Sequence, residues 1–185
     1  MVFKRKIYDD LLQWKRMDEG RTAVLIQGAR RVGKSTIAQE FAAKEYDSYI
    51  LVDFAACSAE IRDLFNDVSD LNRIFMRLQL EYGVELIRRR SVIIFDEVQL
   101  APKARQAIKY LVKDGRYDYI ETGSLISIRK NVKDILIPSE EVRLDMYPMD
   151  YEEFKWAMGD NVTLKLLKNH FMQHLSFGDS TNRKL

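Results

Sequence analysis

Apolar positions along the chain recur with two periods. Short unbroken runs suit buried strands, and i, i+3, i+4 spacing suits amphipathic helices. The runs Ala23-Val24-Leu25-Ile26-Gln27, Tyr49-Ile50-Leu51-Val52-Asp53-Phe54, Ser91-Val92-Ile93-Ile94-Phe95 and Tyr117-Asp118-Tyr119-Ile120-Glu121-Thr122 predict four strands. Val142-Arg143-Leu144-Asp145-Met146 alternates and predicts a fifth. Helical spacing fills the gaps. It joins Ile7, Tyr8, Leu11, Leu12 and Trp14 within residues 5–18, and Ile37, Ala38, Phe41 and Ala42 within 35–44. It continues through Ile61, Leu64, Phe65, Val68 and Leu71. A further helix holds Ile74, Phe75, Leu78 and Tyr82 and runs on towards Arg88-Arg89-Arg90. Ala104, Ala107, Ile108, Leu111 and Val112 mark another, closed by Gly115. Past Pro148, Asp150 reads as the N-cap of a helix carrying Tyr151, Phe154, Trp156 and Ala157. Gly159-Asp160 breaks the chain before a last helix with Leu164, Leu167, Phe171 and Leu175. Strands alternating with helices predict an α/β fold, a three-layer sandwich on a five-stranded parallel sheet. The run ending at Phe95 is too apolar to face water on either side, so it is central.

Composition narrows the picture. A chain of 185 residues with 46% hydrophobic and 31% charged positions suits one α/β domain with a small helical appendage. We expect the domain over residues 1–157 and a helix with a polar tail over 158–185. A net charge of +2 makes no whole-chain case for nucleic acid or an anionic membrane, and leaves a local basic patch open. The lone Cys57 excludes an internal disulfide and suits a reducing cytoplasm. No apolar run approaches the ~18 residues of a membrane span.

The chemistry begins at Gly28-Ala29-Arg30-Arg31-Val32-Gly33-Lys34-Ser35, followed by Thr36. This is G-x-x-x-x-G-K-[ST], a loop whose amides cradle a phosphate chain. The loop must wrap the anion closely, so Gly28 and Gly33 carry no Cβ and can take positive φ. The following helix adds the positive end of its dipole. Lys34 would reach the β- and γ-phosphates, and the Ser35 hydroxyl would ligate Mg²⁺. Asp96-Glu97 follows the central strand at its C-terminal end, where open α/β sheets bind ligands. Asp96 would hold Mg²⁺ opposite Ser35, and Glu97 would activate water. At the end of the fourth strand a hydroxyl would sense the γ-phosphate, Thr122 first and Ser124 second. Ile7 and Tyr8 either lie beside the base or simply pack. Arg88–Arg90 are either a solvated helix end or a DNA-binding patch. His170 and His174 share a helix face but lack the partners of a metal motif.

These residues resemble a known family, the bacterial and archaeal AAA-type ATPases with an uncharacterised C-terminal domain (the AAA_14 group). Arg5-Lys6-Ile7-Tyr8, the phosphate loop, Asp96-Glu97-Val98-Gln99, Thr122-Gly123-Ser124 and Tyr147-Pro148-Met149-Asp150-Tyr151-Glu152-Glu153-Phe154 carry the likeness, over roughly residues 5–157. The resemblance implies strand order 5-1-4-3-2, ATP rather than GTP, Mg²⁺, a further C-terminal region of the same chain, and a possible homo-oligomer. One departure concerns the arginine finger. Many members carry a Gly-Arg pair just before strand five, where this chain has Pro138-Ser139-Glu140-Glu141. Arg143 and Arg129 are the nearest substitutes. Three functions follow: an ATPase, a nucleotide-dependent switch acting on a partner domain, and a DNA-associated ATPase. A P-loop kinase is disfavoured, because Glu97 suits water activation and no phosphoacceptor pocket can be read.

Overall fold

The computed structural model describes residues 3–124 and 139–173. Arg129, Pro138, His174, Leu175 and the polar tail from Ser176 lie outside them. The chain groups into two compact units, Ile7–Pro148, and Met1–Lys6 together with Met149–Leu185. This grouping divides the chain elsewhere than the 157/158 boundary expected above.

In the larger unit the elements run α1 (Ile7–Asp18), β1 (Ala23–Gly28), α2 (Lys34–Glu45), β2 (Ser48–Asp53), α3 (Ala59–Asp63), α4 (Leu71–Tyr82), β3 (Ser91–Asp96), α5 (Pro102–Asp114), β4 (Asp118–Ser124) and β5 (Glu141–Met146). The strands form one sheet in the order β2-β3-β4-β1-β5, every pair parallel. Read from the other edge, this is the 5-1-4-3-2 order that the resemblance implied. Every residue of β3 and β4 is buried, as expected of strands covered on both faces. Successive side chains point to opposite faces. Leu25, Ile93, Phe95 and Tyr119 therefore join the layer of α3, α4 and α5, while Val24, Ile26, Ile94 and Ile120 join that of α1 and α2.

Two expectations are corrected. Ile61 to Leu71 is not one helix: α3 gives way to a 3₁₀ turn at Leu64–Asn66, and α4 starts afresh at Leu71. The restart is chemical. The Asp70 carboxylate accepts from the Arg73 amide to cap α4, as Ser58 caps the start of α3. Nor do Arg88–Arg90 sit at a helix end. The helix stops at Tyr82, where Gly83 takes φ 62°. Arg89 pairs with Asp118 at 2.8 Å and Arg90 with Asp47.

In the smaller unit, α6 (Tyr151–Ala157) and α7 (Thr163–Met172) follow Asp150, which makes a reciprocal capping box with Glu153. Phe154 is exposed, whereas Glu153 is buried against Arg5 at 3.2 Å. The cap and the ion pair turn position 153 inward. Leu164 is the buried apolar residue of α7, and Phe171 is exposed.

Buried charge marks the far side of the sheet. Arg105 of α5 grips Glu141 with Nη2 at 3.0 and 3.1 Å from its two carboxylate oxygens. Beside them Glu121 of β4 is fully buried, and neither of its oxygens has a hydrogen-bond partner. Burial pushes its carboxyl well above the usual range, and Glu141 adds to the shift against Arg105 and Arg143. Glu121 thus keeps its proton to higher pH in the fold than in the unfolded chain. Its contribution to stability is complete below the unfolded pKa and is lost as pH rises towards the folded one. Stability should therefore fall with rising pH across about pH 5 to 8. Urea unfolding of Glu121→Gln across that range should give a flatter curve than the parent; parallel curves would refute the assignment.

Candidate functional site

The C-terminal ends of β1, β4 and β3 lie side by side. Gly28 registers against Ser124, and Phe95 against Glu121, which sets Asp96 beside Thr122. The loop from Gly28 to Lys34 leaves this edge and opens into α2. Gly33 takes φ 98° and ψ 22°, and Arg31 also turns left-handed at φ 65°. Gly28 does not use that freedom. Its requirement is space: a Cβ there would come within 2.1 Å of the Met146 carbonyl oxygen on β5. Gly33 supplies no side-chain acceptor to the first turn of α2. The first-turn amides of such a helix need another partner, and an anion is one.

Lys34 is buried, and its ammonium donates to the loop's own carbonyls, Ala29 at 2.8 Å and Gly28 at 3.4 Å. Burial pulls its pKa down, while Glu97 and Asp96 raise it. The Ser35 hydroxyl donates to Asp96 Oδ1 at 2.6 Å, and the Thr122 hydroxyl donates to the same oxygen. Thr122 Oγ1 in turn accepts from the Glu97 amide at 3.2 Å. Thr122 therefore touches both acid residues. Ser124 is buried across from Gly28.

Glu97 has φ 54° and ψ 45°, an uncommon conformation for a residue with a Cβ. The Gln99 amide donates to Glu97 Oε2. Gln99 is buried in a 3₁₀ turn, Val98–Leu100, that leads into α5. In the sequence Gln99 carried only the resemblance and no role. Its signal was a lone polar side chain amid Val98, Leu100 and Ala101, two positions past the acid pair.

A model of the AAA domain, AAA_14, matches residues 20–155. The chain belongs to this family. It is thus a P-loop ATPase domain of the AAA type, from a family that generally binds ATP with Mg²⁺. A search of curated proteins found no match. Among solved structures, that of C. elegans PCH-2 matches at 10% identity with a TM-score of 0.45. The match covers 89% of this chain and 46% of the other, so the chain spans about half the length of that protein.

Other expected contacts of this AAA domain are not brought to the loop. Ile7 is buried in the layer that holds Leu11, Ile37 and Phe41. Tyr8 donates to Glu45 Oε1 at 2.7 Å and stands edge-on to Phe41, with ring centroids 5.3 Å apart. Glu45 is the last residue of α2, about 17 Å along the axis from Lys34 at 1.5 Å per residue. Both residues pack against the α1–α2 layer. Arg143 is held by Glu141 at 2.8 Å. His170 Nδ1 lies 2.9 Å from the Leu166 carbonyl.

For Mg²⁺ the donor set fits. Among the described residues no group of three or more His, Cys, Asp or Glu is placed to hold a metal. A hydroxyl and a carboxylate 2.6 Å apart, Ser35 and Asp96, are hard oxygen donors. Mg²⁺ is usually held by one or two such groups together with substrate phosphates and water. No described helix is long and apolar enough to cross a membrane.

At the opposite, N-terminal ends of the strands lies an open cavity of about 450 Å³. Arg21, Arg89, Lys109 and Lys113 line it together with Glu19 and Glu140.

Replacing Lys34 by Met should separate fold from ligand. The change removes a buried charge, so the nucleotide-free protein should melt no lower than the parent. Mg·ATP should then lose its stabilising effect, because a ligand raises melting only through its affinity for the folded state. Thermal melts with and without Mg·ATP test this, and a Lys34→Met protein stabilised as much as the parent would exclude Lys34 from phosphate binding.

Proposed function

We propose that the chain hydrolyses Mg·ATP, with Glu97 as general base for the attacking water. The observation that carries this is the 2.6 Å bond from Ser35 to Asp96, which ties the phosphate loop to the acid-bearing strand end. The loop amides from Gly28 through Thr36, with Ala29, Arg30, Arg31, Val32 and Gly33 between, would bind the phosphates. Lys34 would leave the carbonyls of Ala29 and Gly28 for the β- and γ-phosphate oxygens, exchanging neutral acceptors for charged ones. Ser35 and Asp96 would hold Mg²⁺. The ion, when bound, would neutralise charge building on the phosphate oxygens. Glu97 would accept the proton of the water, with its backbone held by the Thr122 hydroxyl. Thr122 would sense the γ-phosphate through its contacts with both acids, with Ser124 as the second candidate. The isolated chain would turn over slowly, because an arginine supplied by a neighbouring copy contributes ~10³–10⁵ in rate to such enzymes.

Glu97→Gln tests the assignment. The amide keeps the shape but cannot take a proton, so kcat should fall ~10²–10⁴-fold with ATP affinity retained. Turnover by this variant at the parental rate would remove Glu97 from the mechanism.

One feature favours a second role, as a nucleic-acid-associated ATPase. It is the cavity lined by four cationic side chains at the end of the sheet away from the loop. In that case DNA should stimulate hydrolysis, the effect should weaken steeply between about 50 and 200 mM salt, and Lys109→Glu with Lys113→Glu should abolish it. Rates indifferent to DNA at low salt would dismiss this role.

A further inference from the structure

Gln99 is buried next to Glu97 and has no place in the chemistry above. Its side chain starts from a rigid base. The Leu100 amide donates to the Glu97 carbonyl at 2.9 Å, and the Ala101 amide to the Val98 carbonyl at 3.0 Å. Val98 is itself fully buried in the α5-side core. The turn is therefore anchored at both ends. Within it the Gln99 amide donates to one oxygen of the Glu97 carboxylate, Oε2. A Glu side chain on a strand end has several torsions, and without a partner it would sample many rotamers. Bases work only within hydrogen-bond reach of the proton they take, and a displacement of about 1 Å can cost ~10²-fold. Amide hydrogen bonds to a carboxylate are also among the stronger ones available to a neutral donor.

We propose that Gln99 is a positioning residue for Glu97. The amide fixes the carboxylate through Oε2 and leaves Oε1 to act as the base. The inference rests on the ATPase role proposed for Glu97. It adds a residue that acts through that side chain. Backbone and side chain of Glu97 are then held from two directions, by Thr122 and by Gln99.

The test is steady-state Mg·ATP hydrolysis by the whole chain, with ATP affinity measured by calorimetry. Gln99→Met keeps the volume and removes the donor. Its kcat should fall ~10–100-fold, while KM and the ATP dissociation constant stay within about twofold of the parent. Gln99→Glu, which sets an acceptor against an acceptor, should fall at least as far. In the Glu97→Gln background Gln99→Met should add no further loss, because its effect passes through the carboxylate. The proposal is overturned if Gln99→Met keeps parental kcat or exceeds it. A loss of kcat matched by a loss of ATP affinity, or a full additional loss on top of Glu97→Gln, overturns it as well. A different result marks failure of the underlying role: a parent that turns over no faster than Glu97→Gln removes both.

Discussion

Two hydroxyls donate to one carboxylate oxygen at the centre of this protein. Ser35 reaches Asp96 Oδ1 from the first turn of α2, and Thr122 reaches it from β4. Those bonds join three separate pieces of backbone at the sheet edge. They require β4 to lie between β1 and β3, which is the observed order. They also require the loop to turn back over the strand ends, and the left-handed Gly33 and the close approach of Gly28 to β5 permit that. Geometry at the site thus depends on backbone features some distance along the chain.

The sheet answers that demand by burying β3 and β4 completely. Complete burial excludes water from both faces and fixes the strands in register, since a slip of one residue would send every side chain to the wrong layer. Its cost falls on polar groups that share the strands. Asp96 and Thr122 satisfy each other, whereas the Glu121 carboxyl is left without a partner beside the Arg105–Glu141 pair. A protonated acid is the form a fully enclosed carboxyl adopts most cheaply. Neighbouring strands therefore carry one acid residue held by hydroxyls, at the end of β3, and another, midway along β4, deprived of any bond.

Legibility followed locality. The five strands, the phosphate loop and the acid pair are written as contiguous runs, so apolar pattern and residue type suffice to find them. The break between α3 and α4 was hidden because Val68 and Leu71 keep helical spacing, while the 3₁₀ turn at Leu64–Asn66 ends the first helix and the Asp70 cap starts the second, neither of which spacing records. On α6 the apolar Phe154 is exposed, and Glu153 is its buried neighbour because of Arg5, far away in sequence. Gln99 went without a role because its partner is set by the sharp turn at Glu97, which no periodicity reveals.

By itself the sequence determined the α/β class, the strands, the phosphate loop and the two acids, because each depends on neighbouring residues alone. Tertiary structure decided what those parts touch. It put Thr122 on Asp96, sent Tyr8 to Glu45 at the far end of α2, and gave Gly28 a steric rather than a conformational reason to be glycine. Contacts of that kind join residues distant in the chain, and they exist only once the strands have taken their order and register.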